Sequence, residues 1–452
     1  MRKSVNKESI ERAIAQETAS SGPLSQSQLA KRLNLSQATL SRVLSRMPRA
    51  VRLGRGRASR FAVRREVLGV DESLPVYRIS PEAELIADGE LIPLFDKGFA
   101  WIRPDGRADH FDGWPYALEP LRPSGYLGRH IPRAHPELDF PARLEDWNDD
   151  DVLRYASRLG WNMPGDRLVG DTPQHSFLRS VGVQHPAPSI ERETQFRNHV
   201  DGSLSEGLGS SAGGEQPKFL TVVDQRAMIV KFSPSLEGEG PIARRWADLL
   251  VCEHLAFETL NAAGITSSKS EIVVDESRFY LQVERFDRIG RHGRRGVLSL
   301  RVLQAEFGES RDTSWLGVAR DLERQGRAPP SVAEHIRLQQ TFGRLIGNTD
   351  MHLENASVFL DGTSIVGPTP VYDMLPMKWA PTSNELRPRA LEPAPPRSFE
   401  MPVFFECLRL ANEFWSKVRN DPRVSEEFRT VAGESEESLR QLQALTRHLP
   451  VD

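Results

Sequence analysis

The spacing of apolar side chains changes several times along the chain and separates regions of different predicted structure. Between residues 26 and 47, apolar residues recur every three or four positions, which predicts two short helices. Between residues 74 and 143, strand-like runs such as VYRI and FAWIRP are interrupted by Pro and Gly turn signals. This stretch therefore predicts a small β-rich subdomain with long loops, and residues 144–178 return to a mostly helical pattern.

A second strand-rich region follows the Gly- and Ser-rich residues 196–217. The runs FLTVV and AMIVKF predict two strands, and the three residues from Asp224 to Arg226 between them have the spacing of a hairpin. A helix over residues 241–263 is expected to end at Gly264, because glycine commonly follows the last helical residue.

The rest of the chain passes from strands to helices. EIVV and RFYLQVERF predict two more strands. After residue 300 the pattern is mainly helical, except near residues 356–372, and the Pro-rich residues 380–398 predict a loop. The predicted class is α+β, and a length of 452 residues suggests several domains.

The composition is that of a folded soluble protein, with 38% apolar and 27% charged residues. No apolar run approaches the roughly 20 residues that cross a bilayer, so no membrane partner is expected. The N-terminal residues MRKSVNKESIERAIAQ are charged throughout and lack the apolar core of a secretory signal. The two cysteines, Cys252 and Cys407, lie in apolar contexts that predict buried free thiols. We therefore expect a cytoplasmic protein.

Residues 26–47 have the spacing of a helix-turn-helix. Ala30 is small enough to let two helices cross closely, Asn34 tolerates a left-handed turn, and Ser36 is a good N-cap for the second helix. The sequence RLGRGRASRF, residues 52–61, predicts a strand–turn–strand wing with four arginines. In this motif the second helix enters the major groove. The residues predicted to contact DNA are Ser36, Gln37, Ala38, Ser41, Arg42, Arg52, Arg55, Arg57 and Arg60.

The distribution of charge agrees with this interpretation. Residues 1–70 carry 15 Lys and Arg against 4 Asp and Glu, a net charge of +11, so the other residues carry −14 of the total of −3. A basic head on an acidic body predicts duplex DNA as a partner, bound by a dimer on two half-sites. The alternative is a helical hairpin that mediates dimerisation.

A candidate phosphate-binding stretch lies in the second strand-rich region. SAGGEQPK, from Ser211 to Lys218, precedes a predicted strand, and its small residues let backbone N–H groups approach phosphate oxygens. Lys231, at the end of the next strand, has the placement of a lysine that neutralises the phosphates of ATP. Taken alone, this stretch is more simply explained as a flexible loop.

The more specific signal is LIGNTDMHLENASVF, residues 345–359, which places Asp350, His352 and Asn355 within six residues. Asp and Asn at this spacing recur in kinase catalytic loops, where the Asp accepts the proton of the substrate hydroxyl and the Asn holds Mg²⁺. VYDML follows and supplies Asp373 as a second metal-binding carboxylate. His352 is expected mainly to order the loop through hydrogen bonds.

These motifs resemble, in sequence and in order, those of the HipA-like toxin kinases. The resemblance runs through SAGGEQPK, IVKF, VERFDR, LIGNTDMHLEN and VYDML, over residues 205–376. YLGR, which begins at Tyr126, resembles the N-terminal subdomain of that family more weakly. The resemblance implies a two-lobed, kinase-like fold with a mainly helical C-lobe, and an enzyme that phosphorylates serine or threonine with ATP and Mg²⁺.

The resemblance also implies roles for single residues. Asp350 is the catalytic base, and Asn355 and Asp373 are the Mg²⁺ ligands. Glu253 is a candidate partner for the ATP lysine, Lys231. The residues implied to bind ATP are Ser211, Ala212, Gly213, Gly214, Lys218, Lys231, Glu284, Phe286 and His352.

Two of these assignments concern particular segments. Glu284 and Phe286 correspond to hinge residues that meet adenine through their backbones, whereas the neighbouring Arg285 and Asp287 are expected to form surface or hinge ion pairs. Ser211 corresponds to the serine that such kinases autophosphorylate, and Ser210 beside it leaves the register open.

Two features depart from the family pattern. Glu354 stands where a lysine usually precedes the catalytic-loop asparagine, and the helix-turn-helix, usually on a separate antitoxin, is on the same chain. This fused arrangement resembles the YjjJ-type subgroup. The predicted domains are a winged helix-turn-helix (1–70), a β-rich HipA-like N-terminal subdomain (71–145), a kinase-like N-lobe with the ATP loop (146–290) and a helical C-lobe with the catalytic loop (291–452).

The sequence thus predicts a protein kinase fused to an autoregulatory DNA-binding domain. The resemblance implies a translation component, such as an aminoacyl-tRNA synthetase, as the kind of substrate, and a separate antitoxin as a further candidate partner. Two alternatives stay open: a transcription regulator that binds nucleotide without transferring phosphate, and a metal-dependent nuclease that uses the Asp/His/Asn group.

Overall fold

A computed structural model describes residues 7–182, 192–205, 216–238, 240–382 and 385–449. The protein has a mixed α+β architecture and forms two compact units. The first takes the described parts of residues 1–123 and 132–184, and the second takes those of residues 124–131 and 185–452. The four predicted domains do not nest within these units, because the predicted N-lobe (146–290) takes residues from both, and the domain boundaries remain predictions.

The first unit begins with helices and short strands around one small core. These are α1 (Lys7–Ser21), β1 (Leu24–Ser25), α2 (Gln26–Arg32), α3 (Gln37–Leu44), β2 (Ala50–Leu53) and β3 (Arg60–Val63), with the strands in the antiparallel order β1-β3-β2. Apolar side chains of α1, α2 and α3 pack together in this core. Asn34 has φ +52°, and Ser36 Oγ accepts the N–H of Thr39 at 3.1 Å. The predicted turn residue and N-cap are therefore confirmed.

A five-stranded sheet and its covering helices complete the first unit. The next elements are β4 (Leu74–Ile79), β5 (Leu85–Pro93), β6 (Phe99–Ile102), β7 (Ala108–Phe111), α4 (Gly125–Arg129), α5 (Ile131–Ala134), α6 (Asp149–Leu159), β8 (Arg167–Val169) and α7 (Asp171–Gly182). The sheet order is β7-β6-β5-β4-β8. Strand β8, which was predicted to belong with later residues, pairs antiparallel with β4. By its contacts α4 belongs to the second unit.

The hairpin of β2 and β3 packs against this sheet within the first unit. Leu53 and Ala62 share an apolar core with Ile92, Leu94 and Ala100. The head therefore rests on the sheet through buried apolar contacts, which stabilise it in proportion to the area removed from water.

The second unit carries the remaining elements. These are α8 (Arg192–Ser205), β9 (Lys218–Val223), β10 (Arg226–Phe232), α9 (Gly240–Ala262), β11 (Ser270–Val274), β12 (Phe279–Glu284), β13 (Arg288–Ile289), β14 (Gly293–Arg294), β15 (Gly296–Ser299), α10 (Leu300–Phe307), α11 (Trp315–Arg324), α12 (Pro330–Ile346), β16 (Ser357–Asp361), β17 (Ser364–Pro368), α13 (Met401–Asn420) and α14 (Glu426–Thr446). The described residues of 380–398 contain no helix or strand, as predicted for this loop.

An antiparallel sheet in the order β11-β12-β10-β9 lies beside α9. Asp224 and Gln225 both have positive φ, +48° and +62°, which makes a two-residue hairpin loop. The predicted three-residue separator is thus one residue too long, because Arg226 already pairs with Val223 in the ladder. Gly264 has φ +78° just after α9, which confirms the predicted helix end.

Helices α11 to α14 pack each against the next one in the chain. Helix α12 also contacts β17, and α13 also contacts α9. Cys252 on α9 and Cys407 on α13 are both buried free thiols, as predicted. Among the residues that the structure describes, no helix is long and apolar enough to cross a membrane.

Candidate active site

The first part of the candidate site is a buried ion pair between the sheet and α9. Lys231 lies on β10 and Glu253 lies on α9, and Lys231 Nζ donates to both carboxylate oxygens of Glu253 at 2.7 and 2.8 Å. Both side chains are at least nine-tenths buried. The predicted pairing of Glu253 with Lys231 is confirmed.

Asp373 brings the chain after β17 to the same lysine. Its Oδ1 also accepts a hydrogen bond from Lys231 Nζ. The backbone of Asp373 has φ +48°, a left-handed conformation that is uncommon for a residue with a side chain. Such conformations persist where the surrounding contacts hold them, and they concentrate at functional sites.

The charges of this group determine its ionisation. Burial alone would lower the pKa of Lys231, but the carboxylates of Asp373 and Glu253 outweigh this effect and raise the pKa above its ordinary value. Burial raises the pKa of Glu253, which Lys231 opposes. Burial would also raise the pKa of Asp373, but Lys231 and Lys218 outweigh it and lower that pKa to about 2. Lys231 is therefore a cation, and Asp373 an anion, near neutral pH.

The predicted catalytic loop begins where α12 ends. Gly347 adopts φ +78° after the last helical residue, which lets the chain leave the helix sharply. Asn348 follows and is buried. Its Oδ1 accepts the N–H of Asp350 at 2.9 Å, and its Nδ2 donates to the backbone oxygen of Asp373 at 3.3 Å. Asn348 is a site residue that no local sequence pattern predicts.

The loop is closed by hydrogen bonds to its own backbone. Asn355 is buried, and its Nδ2 donates to the backbone oxygen of Asp350 at 2.9 Å. The backbone oxygen of His352 accepts the N–H of Asn355 at 3.0 Å and the Nε1–H of Trp315 at 2.8 Å. The carboxylate of Asp350 is half-exposed, and its Oδ1 lies 3.9 Å from Nε2 of His352. Hydrogen bonds to the backbone thus hold the loop, and the carboxylate of Asp350 is open to solvent.

Lys218 and the segment after β12 border this group. Lys218 on β9 pairs directly with Lys231 on β10, which puts the two side chains on the same face of the sheet. Phe286 lies against Tyr372, with ring centroids 5.4 Å apart. In the part of the chain that the structure describes, no hydrogen bond engages the backbone oxygen of Glu284 or the backbone N–H of Phe286.

Several predicted residues need separate comment. Ser211, Ala212, Gly213 and Gly214, together with Ser210, lie outside the described residues. Glu354 forms an ion pair with Arg301 on α10 at 2.5 Å, and both side chains are about half-exposed.

The ion pair expected of Arg285 and Asp287, at the surface or in the hinge segment, forms in the segment directly after β12 and is buried. Arg285 binds Asp287 with two hydrogen bonds of 3.0 and 2.9 Å, and Arg288 contacts the same carboxylate at 2.6 Å. All of these side chains are buried. The alternating charges of this turn are typical of an exposed segment. In the structure, the carboxylate of Asp287 instead neutralises the buried guanidinium groups of Arg285 and Arg288.

The residues predicted to contact DNA lie in the first unit. Ser36, Gln37, Ala38, Ser41 and Arg42 are exposed at the start and along one face of α3. In the hairpin after it, Arg52, Arg55 and Arg60 are exposed as well, and Nε of Arg52 donates to Ser59 at 2.9 Å. The side chain of Arg57 lies outside the described set.

Comparison with known proteins agrees with these motifs. The family model for the YjjJ-like toxin, middle domain, matches residues 70–178, and the model for the HipA-like C-terminal domain matches residues 210–437. Toxin YjjJ of Escherichia coli (strain K12) is 36% identical over 434 residues, which cover 93% of this chain and 96% of that protein. The chain belongs to the YjjJ-like toxin family. The resemblance to the HipA-like family drawn from the motifs is therefore confirmed.

Two solved structures are similar in fold to this member of the YjjJ-like family. It is similar to a chain of the Shewanella oneidensis MR-1 toxin–antitoxin complex of HipA, HipB and operator DNA, with a TM-score of 0.51 and 16% identity over 83% of this chain and 97% of that chain. Helicobacter pylori proinflammatory kinase CtkA is similar over 53% of this chain and 94% of that chain, with 14% identity and a TM-score of 0.36. The first of these likenesses supports a HipA-like fold.

Proposed function

We propose that the second unit is an ATP- and Mg²⁺-dependent serine/threonine protein kinase of the HipA-like toxin type. The observation that carries this proposal is a continuous series of contacts from Lys231 through Asp373, Asn348 and Asp350 to Asn355. It unites a phosphate-binding lysine, two metal-binding side chains and a base, which are the groups that phosphoryl transfer requires.

Asn355 and Asp373 fit Mg²⁺ by the chemistry of their donor atoms. They offer an amide oxygen and a carboxylate, and Mg²⁺ prefers one or two such protein ligands together with water and phosphate oxygens. The Nδ2 of Asn355 is occupied by Asp350, whereas its Oδ1 accepts no hydrogen bond from any described residue. Bound Mg²⁺ would neutralise charge on the β- and γ-phosphates.

The remaining roles, phosphate binding and proton acceptance, are assigned to side chains of the protein. Lys231 contacts phosphate oxygens, and Glu253 fixes its ammonium group. Asp350 accepts the proton of the attacking serine or threonine hydroxyl, for which its half-exposed carboxylate is accessible. The imidazole of His352 lies beside that carboxylate, with Nε2 3.9 Å from Oδ1 of Asp350.

Recognition of adenine is assigned to the segment after β12. The backbone oxygen of Glu284 and the N–H of Phe286 offer one acceptor and one donor that no described residue occupies. An adenine ring needs this combination at its edge, and backbone groups supply it without regard to side-chain identity.

The residues from Ser211 to Gly214, together with Lys218, are assigned to the phosphates of ATP. Ser211 is the proposed autophosphorylation site, with Ser210 as the alternative. A phosphoserine at either position adds a charge of about −1.5 to −2, which would repel the phosphates of ATP and lower the activity.

The head is proposed to be a winged helix-turn-helix that binds duplex DNA as a dimer. Two observations support this: α2 and α3 meet at a left-handed Asn34, and the predicted DNA-contacting side chains described on α3 and the β2–β3 hairpin are exposed. A net charge of +11 over residues 1–70 supplies attraction for phosphate.

The other partners are proposed from the family. A solved HipA structure is a complex with HipB and operator DNA. By analogy, an antitoxin and operator DNA are candidate partners here. An aminoacyl-tRNA synthetase or another translation component is the proposed kind of substrate.

The test is transfer of labelled γ-phosphate from ATP to protein, with and without Mg²⁺, together with a nucleic-acid cleavage assay that lacks ATP. The kinase predicts Mg²⁺-dependent label on serine or threonine and no cleavage. Nucleotide binding without label would favour the transcription regulator, and cleavage with metal alone would favour the nuclease.

A further inference from the structure

We propose that Asn348 is a positioning residue, which fixes the segment of the catalytic base relative to the segment of the metal-binding carboxylate. This inference rests on the proposed kinase function and adds a residue to its site. Neither the motifs nor the family likeness assigns a role to Asn348.

The geometry at Asn348 is that of a bridge between two segments. Its Oδ1 accepts the backbone N–H of Asp350 at 2.9 Å, and its Nδ2 donates to the backbone oxygen of Asp373 at 3.3 Å. These two partners are 23 residues apart in the chain, yet one side chain contacts both. Asn348 is only 3% exposed, so water cannot replace either hydrogen bond readily.

The chemistry of the side chain explains why an amide suits this position. A carboxamide has one acceptor oxygen and one donor nitrogen on the same planar group. An aspartate at the same place would keep the acceptor for Asp350 and lose the donor for Asp373. An alanine would lose both and would leave two backbone groups without these partners.

The backbone of Asp373 needs such a contact. A φ of +48° is unfavourable for a residue with a Cβ. The hydrogen bond that Asn348 Nδ2 donates to the carbonyl oxygen of Asp373 helps to hold that conformation. The carboxylate of Asp373 can face Lys231 only while this backbone is held.

A second contact places the same two segments against α12. A Cβ added at Gly343 would lie 2.8 Å from Sδ of Met351 and 3.2 Å from Sδ of Met374. Met351 follows Asp350 and Met374 follows Asp373, so both segments rest on the bare surface of one glycine. Asn348, five residues after Gly343, adds a polar connection between these two segments through its hydrogen bonds to Asp350 and Asp373.

The proposed consequence is specific to alignment. Without the bridge, the base and the metal-binding carboxylate lose their fixed separation, whereas the segment that meets adenine is unaffected. Substitutions of groups that orient metal ligands typically reduce activity or metal affinity about 10- to 100-fold.

The experiment compares Asn348→Ala and Asn348→Asp with wild type and with Asn412→Ala. Asn412 is a partly buried amide on α13 whose Nδ2 donates to Leu408 O at 2.9 Å, which makes it a matched control. For each full-length protein, one measures kcat and KM for ATP, the thermal midpoint, and the affinity for a non-hydrolysable ATP analogue in Mg²⁺ and in EDTA.

We expect Asn348→Ala to lower kcat about 10- to 100-fold and to weaken analogue binding in Mg²⁺ about 10-fold, with affinity in EDTA unchanged. Asn348→Asp should also weaken binding in Mg²⁺, because it too lacks the donor to Asp373. Asn412→Ala should retain wild-type values.

The inference is overturned if both Asn348 variants keep the wild-type kcat and the wild-type gain in affinity from Mg²⁺. It is equally overturned if their only defect is a lower thermal midpoint, since that outcome indicates a merely structural role. A wild-type protein that binds the analogue with Mg²⁺ but transfers no phosphate would contradict the proposed kinase instead, and the binding measurements would still test Asn348.

Discussion

The head and the candidate active site arrange their proposed functional groups in opposite ways. In the head, the predicted DNA-contacting side chains that the structure describes on α3 and the β2–β3 hairpin are exposed, and a local apolar core supports these elements. In the active site, Lys231 is buried and contacts Asp373, which lies 142 residues away. Substitutions of exposed groups, in the head or at Asp350, should therefore change binding or chemistry alone, whereas substitutions of buried groups in the site should change folding as well.

The sharpest test of this contrast is at the half-exposed base. Asp350→Asn removes proton acceptance but preserves size, so we expect the rate of phosphoryl transfer to fall about 10²- to 10⁴-fold. ATP affinity, measured by calorimetry, should stay within about threefold of wild type, because phosphate and adenine contacts remain. The exposed Asp201→Asn on α8 is the control. Transfer at the wild-type rate would refute the assignment of Asp350.

A second test concerns the buried cation. Lys231→Met leaves the carboxylate of Glu253 buried without its partner, so the free energy of unfolding should fall by about 3–5 kcal/mol in urea titrations. Lys269→Met, which changes an exposed lysine just before β11, is the control. Equal loss of stability in both variants would show that the buried pair is not the cause.

A third test uses the pH dependence of α12, the helix that leads into the catalytic loop. Burial lowers the pKa of His335 from about 6.5 to about 4. Protonation of His335 is therefore less favourable in the folded state than in the unfolded state. The free energy of unfolding should decrease as the pH falls from 6.5 towards 4, because the unfolded state then binds a proton that the folded state does not. The loss is at most about 3 kcal/mol. His335→Gln should flatten the stability curve between pH 6.5 and 4, and an unchanged curve would contradict this.

The smallest expected effects are in the head. Arg52→Ala and Arg60→Ala should each reduce the log–log salt dependence of DNA binding by about 0.9 and lower affinity several-fold, without lowering the thermal midpoint. Arg107→Ala, which changes an exposed arginine in the turn before β7 and outside the head, is the control. A gel-shift series in which Arg107→Ala weakens binding as much as the head variants would break the contrast.

The same contrast explains what the sequence could predict. Asn34 and Ser36 were identified because helix turns and caps depend on residues within about four positions. Strands β9 and β10 and the end of α9 at Gly264 follow from equally local patterns. These features agree with the structure, apart from one residue at the hairpin.

The features that were missed depend on long-range contacts. Asn348 has no local signature, because its role arises from Asp373 in a distant segment. Arg285 and Asp287 look like an exposed charged turn, and only the packing around them buries them. Strand β8 is three residues long, and its pairing with β4 joins positions about 90 residues apart, which no local pattern encodes.

The most direct test of the whole account is a crossed design on full-length protein. Wild type, Asp350→Asn, the double variant Arg52→Ala/Arg60→Ala, and the triple variant are each assayed for γ-phosphate transfer and for DNA affinity. We predict that Asp350→Asn abolishes transfer and retains DNA binding, that the double variant does the reverse, and that the effects add in the triple variant. A wild type that transfers no phosphate, or a single change that removes both activities, would contradict the account.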